Sequence, residues 1–143
     1  VRVPFIVAGP DLEAGKRVDA PIYLQDVMAS TLDLAGIDKP DHVEFTSVMS
    51  LARGDTDKHV YDAIYGAYLK VQRSVTMDGF KLIVYPKAVR TRPYNLNEDP
   101  LEMHDLAGDP EYHAKKRQLF ERLLQLQKQM GDKLDIQSIF KNI

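Results

Sequence analysis

Asp78-Gly79 interrupts two runs of strand-forming residues, Val71–Thr76 and Phe80–Pro86, and no other stretch narrows the possible folds as much. A two-residue hairpin turn needs positive φ at its central positions, which Gly adopts freely and Asp tolerates. In the second arm Phe80, Leu82 and Val84 alternate with Lys81, Ile83 and Tyr85, so one face is largely apolar and the other mixed. That is the period of a strand with one face on a core. Val60–Gly66, rich in Tyr and β-branched residues, and the short Tyr94–Leu96 supply further strands. The expectation is a small antiparallel sheet of about four strands, with Lys87, Arg90 and Arg92 in a loop beside it.

A helix is expected to cover this sheet. Leu119, Leu123, Leu126 and Met130 recur at helical spacing, and Phe120 and Leu124 widen the stripe. Asp109 is suited to the N-cap and Pro110 to the first helical position, where its missing N–H costs nothing. Gly131 stops the helix. Lys115, Lys116 and Arg117 read as its solvated face, and the tail from Asp132 to Ile143 has no assigned element.

The first third of the chain has a different character. Val3–Ala8 is apolar on consecutive positions, the pattern of a strand buried on both faces of a parallel sheet. Its partner strands are expected upstream, in a part of the protein outside this sequence. Leu24, Val27, Met28, Thr31, Leu32 and Ala35 then share one helical face, ended by Gly36. Ser47–Arg53 suits a short helix, and the polar connector Gly54–Asp57 is the expected internal boundary. The reading is therefore α+β: residues 1–54 as a strand-helix unit closing an α/β domain, and 55–143 as the antiparallel sheet and helix. Isolated from their neighbours, Val3–Ala8 and the helix after it are expected to be sticky and to favour self-association.

Composition excludes several classes. The net charge is −2 and no basic stripe alternates with stacking aromatics, which disfavours nucleic acid. With no Cys there is no thiolate metal site or disulfide framework. No apolar run approaches the roughly 20 residues of a membrane-spanning helix, and Val1–Ala8 lacks the basic leader and cleavage site of a signal peptide. There is no G-x-S-x-G, no phosphate-cradling glycine loop and no H-E-x-x-H. His42, His59, His104 and His113 share no ligand spacing and read as exposed or hydrogen-bonded side chains. No catalytic residue and no metal ligand is assigned. Lys87, Arg90 and Arg92 are a solvated cluster or, alternatively, a place for an anion, since Arg offers a planar fork of charged donors. Tyr61, Tyr65 and Tyr68 read first as core or rim aromatics and second as ligand contacts.

The order of segments resembles the C-terminal third of the sulfatase family, in the alkaline-phosphatase-like superfamily. VRVPFIVAGPDL is similar to that family's R-V-P-x-I-x-x-G-P strand, and RVDAPIYLQDVMASTLDLAGI to the helical segment that follows it. IYGAY, QRSVTMDGFKLIVYP and YNLNEDPLEMHDLAGDPEY resemble the family's ending, the similarity running from Val1 to about Leu134. Asn95 stands where the family usually has Asp, His104-Asp105 where it has a polar residue and Asn, and Glu44–Leu51 is a degenerate form of its G-x-S-L-x-P-L segment.

The resemblance implies a parent sulfuric ester hydrolase, periplasmic or secreted, that uses calcium and a formylglycine made from C/S-x-P-x-R. Nothing here matches that motif, so the segment is expected to be inactive alone and to have the N-terminal catalytic domain as its partner. It also implies a sulfated glycan or small-molecule substrate whose cleft the small sheet borders, with Tyr65, Tyr68, Gln72 and Arg73 as substrate-binding candidates. In that frame Gln72 bonds sugar hydroxyls and Arg73 a second sulfate or a carboxylate. The other readings are a phosphodiesterase or phosphonate monoester hydrolase of the same superfamily, and a non-catalytic interaction module.

Overall fold

Asp78 and Gly79 take φ values of 53° and 73°, the two positive angles that a tight hairpin requires. The turn closes directly on the pair Met77↔Phe80. A Cβ on Gly79 would stand 2.3 Å from the Asn97 side chain, so glycine is needed there for space as well as for φ. The computed structural model describes residues 3–56, 59–141 and 143, and the chain divides into two units, Val1–Tyr61 and Asp62–Ile143.

The second unit is a four-stranded antiparallel sheet in sequential order: β1 (Ala63–Tyr68), β2 (Gln72–Met77), β3 (Phe80–Tyr85) and β4 (Arg90–Asn95). The first strand begins three residues later than expected. Asp62 is drawn away to accept from Arg122 Nη2 at 2.7 Å, and pairing starts at Ala63↔Met77. The fourth strand is longer than expected and takes in Arg90 and Arg92, which therefore lie on a sheet and not in a loop. A 3-10 turn, Pro86–Ala88, and Val89 at φ 49° make the connection.

The long helix of this unit, His113–Gln129, enters through a 3-10 turn at Pro110–Tyr112, with Asp109 accepting from Glu111 N at 3.0 Å. Its Leu119 and Leu123 are fully buried and meet Val75, Leu82 and Val84 from the sheet, as the stripe anticipated. The tail closes the same core: Ile136 is fully buried, and Phe140 stacks edge-on against Phe120 with ring centres 6.0 Å apart. Met130, at the end of the stripe, is exposed.

The first unit contains two helices, α1 (Asp26–Leu34) and α2 (Met49–Arg53); the long helix of the second unit is α3. The strand expected over Val3–Ala8 is not formed. Residues 3–8 carry no regular structure and are exposed, Ile6 at 89%. A strand needs a neighbouring edge for its N–H and C=O groups, and among the described residues of this unit none is offered. The inward side of α1 holds Asp26, Ala29 and Ser30, whereas Val27, Met28, Thr31 and Ala35 of the apolar face are exposed and Leu32 is half-buried. No described helix is long and apolar enough to cross a membrane.

Candidate functional site

A strand turns successive side chains to opposite faces, and this separates the four candidate residues. Tyr65 and Arg73 lie on the sheet face covered by α3, packed beside Val75 and Val84. Tyr68 and Gln72 lie on the other face, directly opposite one another at the end of the β1–β2 hairpin. Tyr68 is 62% exposed and Gln72 half-buried. The structure thus assembles two pairs and not one cluster.

The inner pair meets a residue that the sequence did not single out, Asp132. Its Oδ2 accepts from Arg73 Nε and from the Tyr65 hydroxyl, and its Oδ1 accepts from Arg73 Nη2 at 3.2 Å and Leu134 N at 2.9 Å. Arg73 Nη1 donates to the carbonyls of Leu69 and Gln72, each at 2.7 Å, and so ties the hairpin turn to the same carboxylate. Arg73 is only 5% exposed. A guanidinium at that depth is tolerable because every side of its fork is occupied. The hydrogen bonds from Arg73, then those from Tyr65 and the Leu134 amide, hold the Asp132 carboxyl well below the usual carboxylate range against the opposing effect of burial. Burial first, and then the bond to Asp132, push the Tyr65 phenol well above its ordinary value.

The only advance signal for Asp132 was its place after Gly131, which ends the helix at φ 63°. The chain then turns back, with Asp132 N donating to Gln127 O at 3.0 Å and Gln127 Nε2 to Leu134 O at 2.6 Å. A separation of 59 residues puts the pairing with Arg73 beyond any local pattern.

In the first unit a second carboxylate plays a comparable part. Asp26 is fully buried and accepts from Tyr23 N at 2.7 Å, Thr46 N at 3.2 Å and the Tyr61 hydroxyl at 2.5 Å. Tyr23 stands edge-on to Tyr61 and Phe45, with ring centres 4.8 and 5.6 Å away. Burial first, and then Asp26, push the Tyr61 phenol up to about 12.

These donor sets do not suit a calcium ion. Among the described residues no three His, Cys, Asp or Glu side chains converge on one point. Asp26, fully buried, and Asp132, largely buried, spend their oxygens on the donors just named.

On the outward face β4 contributes Arg90 and Arg92. Both approach Asp105 Oδ2, at 3.6 and 3.7 Å. Lys81, on the same face, is bound to both carboxylate oxygens of Glu102 at 2.7 and 2.9 Å.

Residues 1–129 match the family model described as N-sulphoglucosamine sulphohydrolase, C-terminal. An uncharacterised protein of Haemophilus influenzae is 31% identical over 121 residues, covering 82% of this chain and 62% of that protein. An N-acetylglucosamine-6-O-sulfatase of Bacteroides thetaiotaomicron is 28% identical over 143 residues, covering 92% of this chain and 26% of the enzyme. Among solved structures, a phosphonate monoester hydrolase from Silicibacter pomeroyi superposes with a TM-score of 0.74 at 16% identity, over 92% of this chain and 29% of that one. The chain therefore spans less than two thirds of the first of these proteins and under a third of the other two.

Proposed function

The chain belongs to the family of sulfatase C-terminal domains represented by N-sulphoglucosamine sulphohydrolase, and from that premise we propose that it is the closing part of a sulfuric ester hydrolase acting on sulfated carbohydrate. The observation that carries this reading is the family match across residues 1–129. The N-acetylglucosamine-6-O-sulfatase, similar along 92% of the chain, supports the carbohydrate assignment. The phosphonate hydrolase, at 16% identity, shares the fold and lends phosphonate chemistry no further support.

The division of labour follows from the chemistry. The oxygens of a sulfate ester repel a nucleophile, and its leaving group departs with charge, so cations and fixed donors must offset both. Among the described residues no such set comes together, and we assign calcium and formylglycine to the remainder of the parent enzyme. This part supports the catalytic domain and borders its substrate cleft. Tyr68 and Gln72 are the contact residues, with an aromatic ring for a sugar face and an amide for its hydroxyls. Arg73 and Tyr65 act through them, by locking the hairpin end to Asp132.

The test is sulfate release from N-acetylglucosamine-6-sulfate by the protein that carries this chain, set beside cleavage of an aryl phosphonate monoester. Sulfate release is the expected preference, and a preference for the phosphonate overturns the reading. The 143-residue chain by itself is expected to turn over neither compound, with or without added calcium.

A further inference from the structure

The outward face of the sheet holds a row of side chains that the locking of the hairpin leaves unused. Tyr68 faces Gln72 across β1–β2, and Tyr85 faces Arg90 across β3–β4. The β2–β3 register, Arg73↔Val84, carried one residue further sets Gln72 beside Tyr85. The row thus runs Tyr68, Gln72, Tyr85, Arg90, with Arg92 in the next row inward. Residues opposed in this way stand about 5 Å apart across each strand pair. Two aromatic rings, one amide and two guanidiniums therefore line about 15–20 Å of one face, the width of four strands.

The charge on this face is unbalanced. Arg90 and Arg92 share the one carboxylate of Asp105, at 3.6 and 3.7 Å, both beyond hydrogen-bonding distance. Their side chains are 60% and 41% exposed. The inner face treats an arginine differently, giving Arg73 a whole carboxylate and two carbonyls. Two guanidiniums against one carboxylate leave a positive end on a sheet whose other end is neutralised by Lys81–Glu102. Paired guanidiniums next to the half-buried Tyr85 ring, with the exposed Tyr68 ring at the far end of the row, fit a ligand with an anionic substituent on an apolar-faced ring.

We infer that this end of the outward face is a subsite for a sulfated saccharide, with Arg90 and Arg92 receiving a sulfate group other than the one hydrolysed. Tyr85 and Tyr68 take the sugar faces and Gln72 a ring hydroxyl. The inference rests on the sulfatase reading for the identity of its ligand, and it adds a second anion position to that reading.

The probes are a heparin-derived tetrasaccharide and the same tetrasaccharide desulfated and N-acetylated, which keeps its uronate carboxylates. Each is titrated calorimetrically into the 143-residue chain. The sulfated form is expected to bind and the desulfated form to bind at least about tenfold more weakly. Replacing both arginines, Arg90→Ala with Arg92→Ala, should weaken the sulfated form by about tenfold or more, the loss of one charge-assisted anion contact. Arg90→Lys with Arg92→Lys should fall between. Lys116→Ala on α3, which removes a charge from a different surface, should change binding less than twofold. Circular dichroism checks each variant's fold. Should the double alanine variant fail to fold, amide shift changes in the unaltered chain decide, and these should centre on Tyr85, Arg90 and Arg92. Equal affinity for the desulfated probe, equal loss in Lys116→Ala, or no binding at all overturns the subsite. If the protein carrying the chain still releases sulfate, such a failure leaves the enzyme reading standing. Binding at the arginines without any sulfate release supports the subsite as an anion site and overturns the enzyme reading.

Discussion

The two units of this chain treat apolar surface in opposite ways. In Asp62–Ile143 the stripe of α3 and one face of the sheet meet, and six of the apolar side chains there, Val75, Leu82, Val84, Leu119, Leu123 and Ile136, are fully enclosed. In Val1–Tyr61 the stripe is as regular in sequence, yet Val27, Met28 and Leu34 of α1 and the run Val3–Val7 face solvent. The enclosed apolar residues described in that unit are few (Ala29, Val43, Val48, Met49 and Leu51), and the same unit encloses the polar Asp26 and Ser30. A pattern of apolar residues says that a face is to be covered. It does not say that the covering element lies in the same stretch of chain. We propose on this ground that the first unit is shaped for neighbours from the rest of a parent enzyme, a reading in keeping with the family match and with the 26% of the N-acetylglucosamine-6-O-sulfatase that the chain spans.

The strongest way to break this comparison is to separate the halves. A chain beginning at Asp62 should remain monomeric with a cooperative melt, while the full 143 residues should self-associate as concentration rises. Sedimentation across a concentration series checks both, and strictly monomeric behaviour of the full chain would remove the contrast. Next in size is the Asp132 lock. Arg73→Ala leaves that carboxylate sunk without its main donors, and breaking such a pair costs about 3–5 kcal/mol in a denaturant melt. A loss below about 1 kcal/mol would mean that water already serves the site. Leu123→Ala, a truncation at a fully buried position, should cost about 2–5 kcal/mol. Met28→Ala, at an exposed position of α1, should change stability by less than about 0.5 kcal/mol.

Smaller effects come from pH, and their signs differ at the two ends. Asp132 is held below its unfolded value of about 3.9. Its contribution is therefore complete above that value and is lost as pH falls through the folded pKa, so acid should weaken the second unit, and Asp132→Asn should flatten that slope. Tyr61 is raised to about 12. Its contribution is complete below the unfolded value of about 10 and is lost as pH rises toward 12, so alkali should loosen the first unit. Ultraviolet titration of phenolate, with Tyr61→Phe as the reference, reads this directly, and ionisation near pH 10 would contradict it.

Much of the second unit was legible because its determinants are local. Asp78-Gly79 carries its own φ preference, Asp109-Pro110 its own cap, and the leucines of α3 their own period, and each acts over a few residues whatever lies elsewhere. The family, too, was readable in the order of short segments. The site was harder to read. Tyr65, Tyr68, Gln72 and Arg73 look like one cluster along the chain, but the alternation of a strand sends the first and last inward and the other two outward. That division was present in the sequence. Its consequence was not, because the carboxylate that claims Arg73 arrives from a tail 59 residues away, placed only once α3 has packed and Gly131 has turned the chain. Arg90 and Arg92 became strand residues for the same reason: β4 gains its ladder from β3, a partner that local propensity in Arg90–Asn95 does not specify. Val3–Ala8 is the converse case, a strand pattern left as coil because backbone hydrogen bonds need a second edge. Turns, caps and helical periods are properties of a few adjacent residues, and the amino-acid sequence by itself determined them. Which donor meets which acceptor, and which apolar face finds a cover, depend on elements far apart in the chain, and only the tertiary structure decided them.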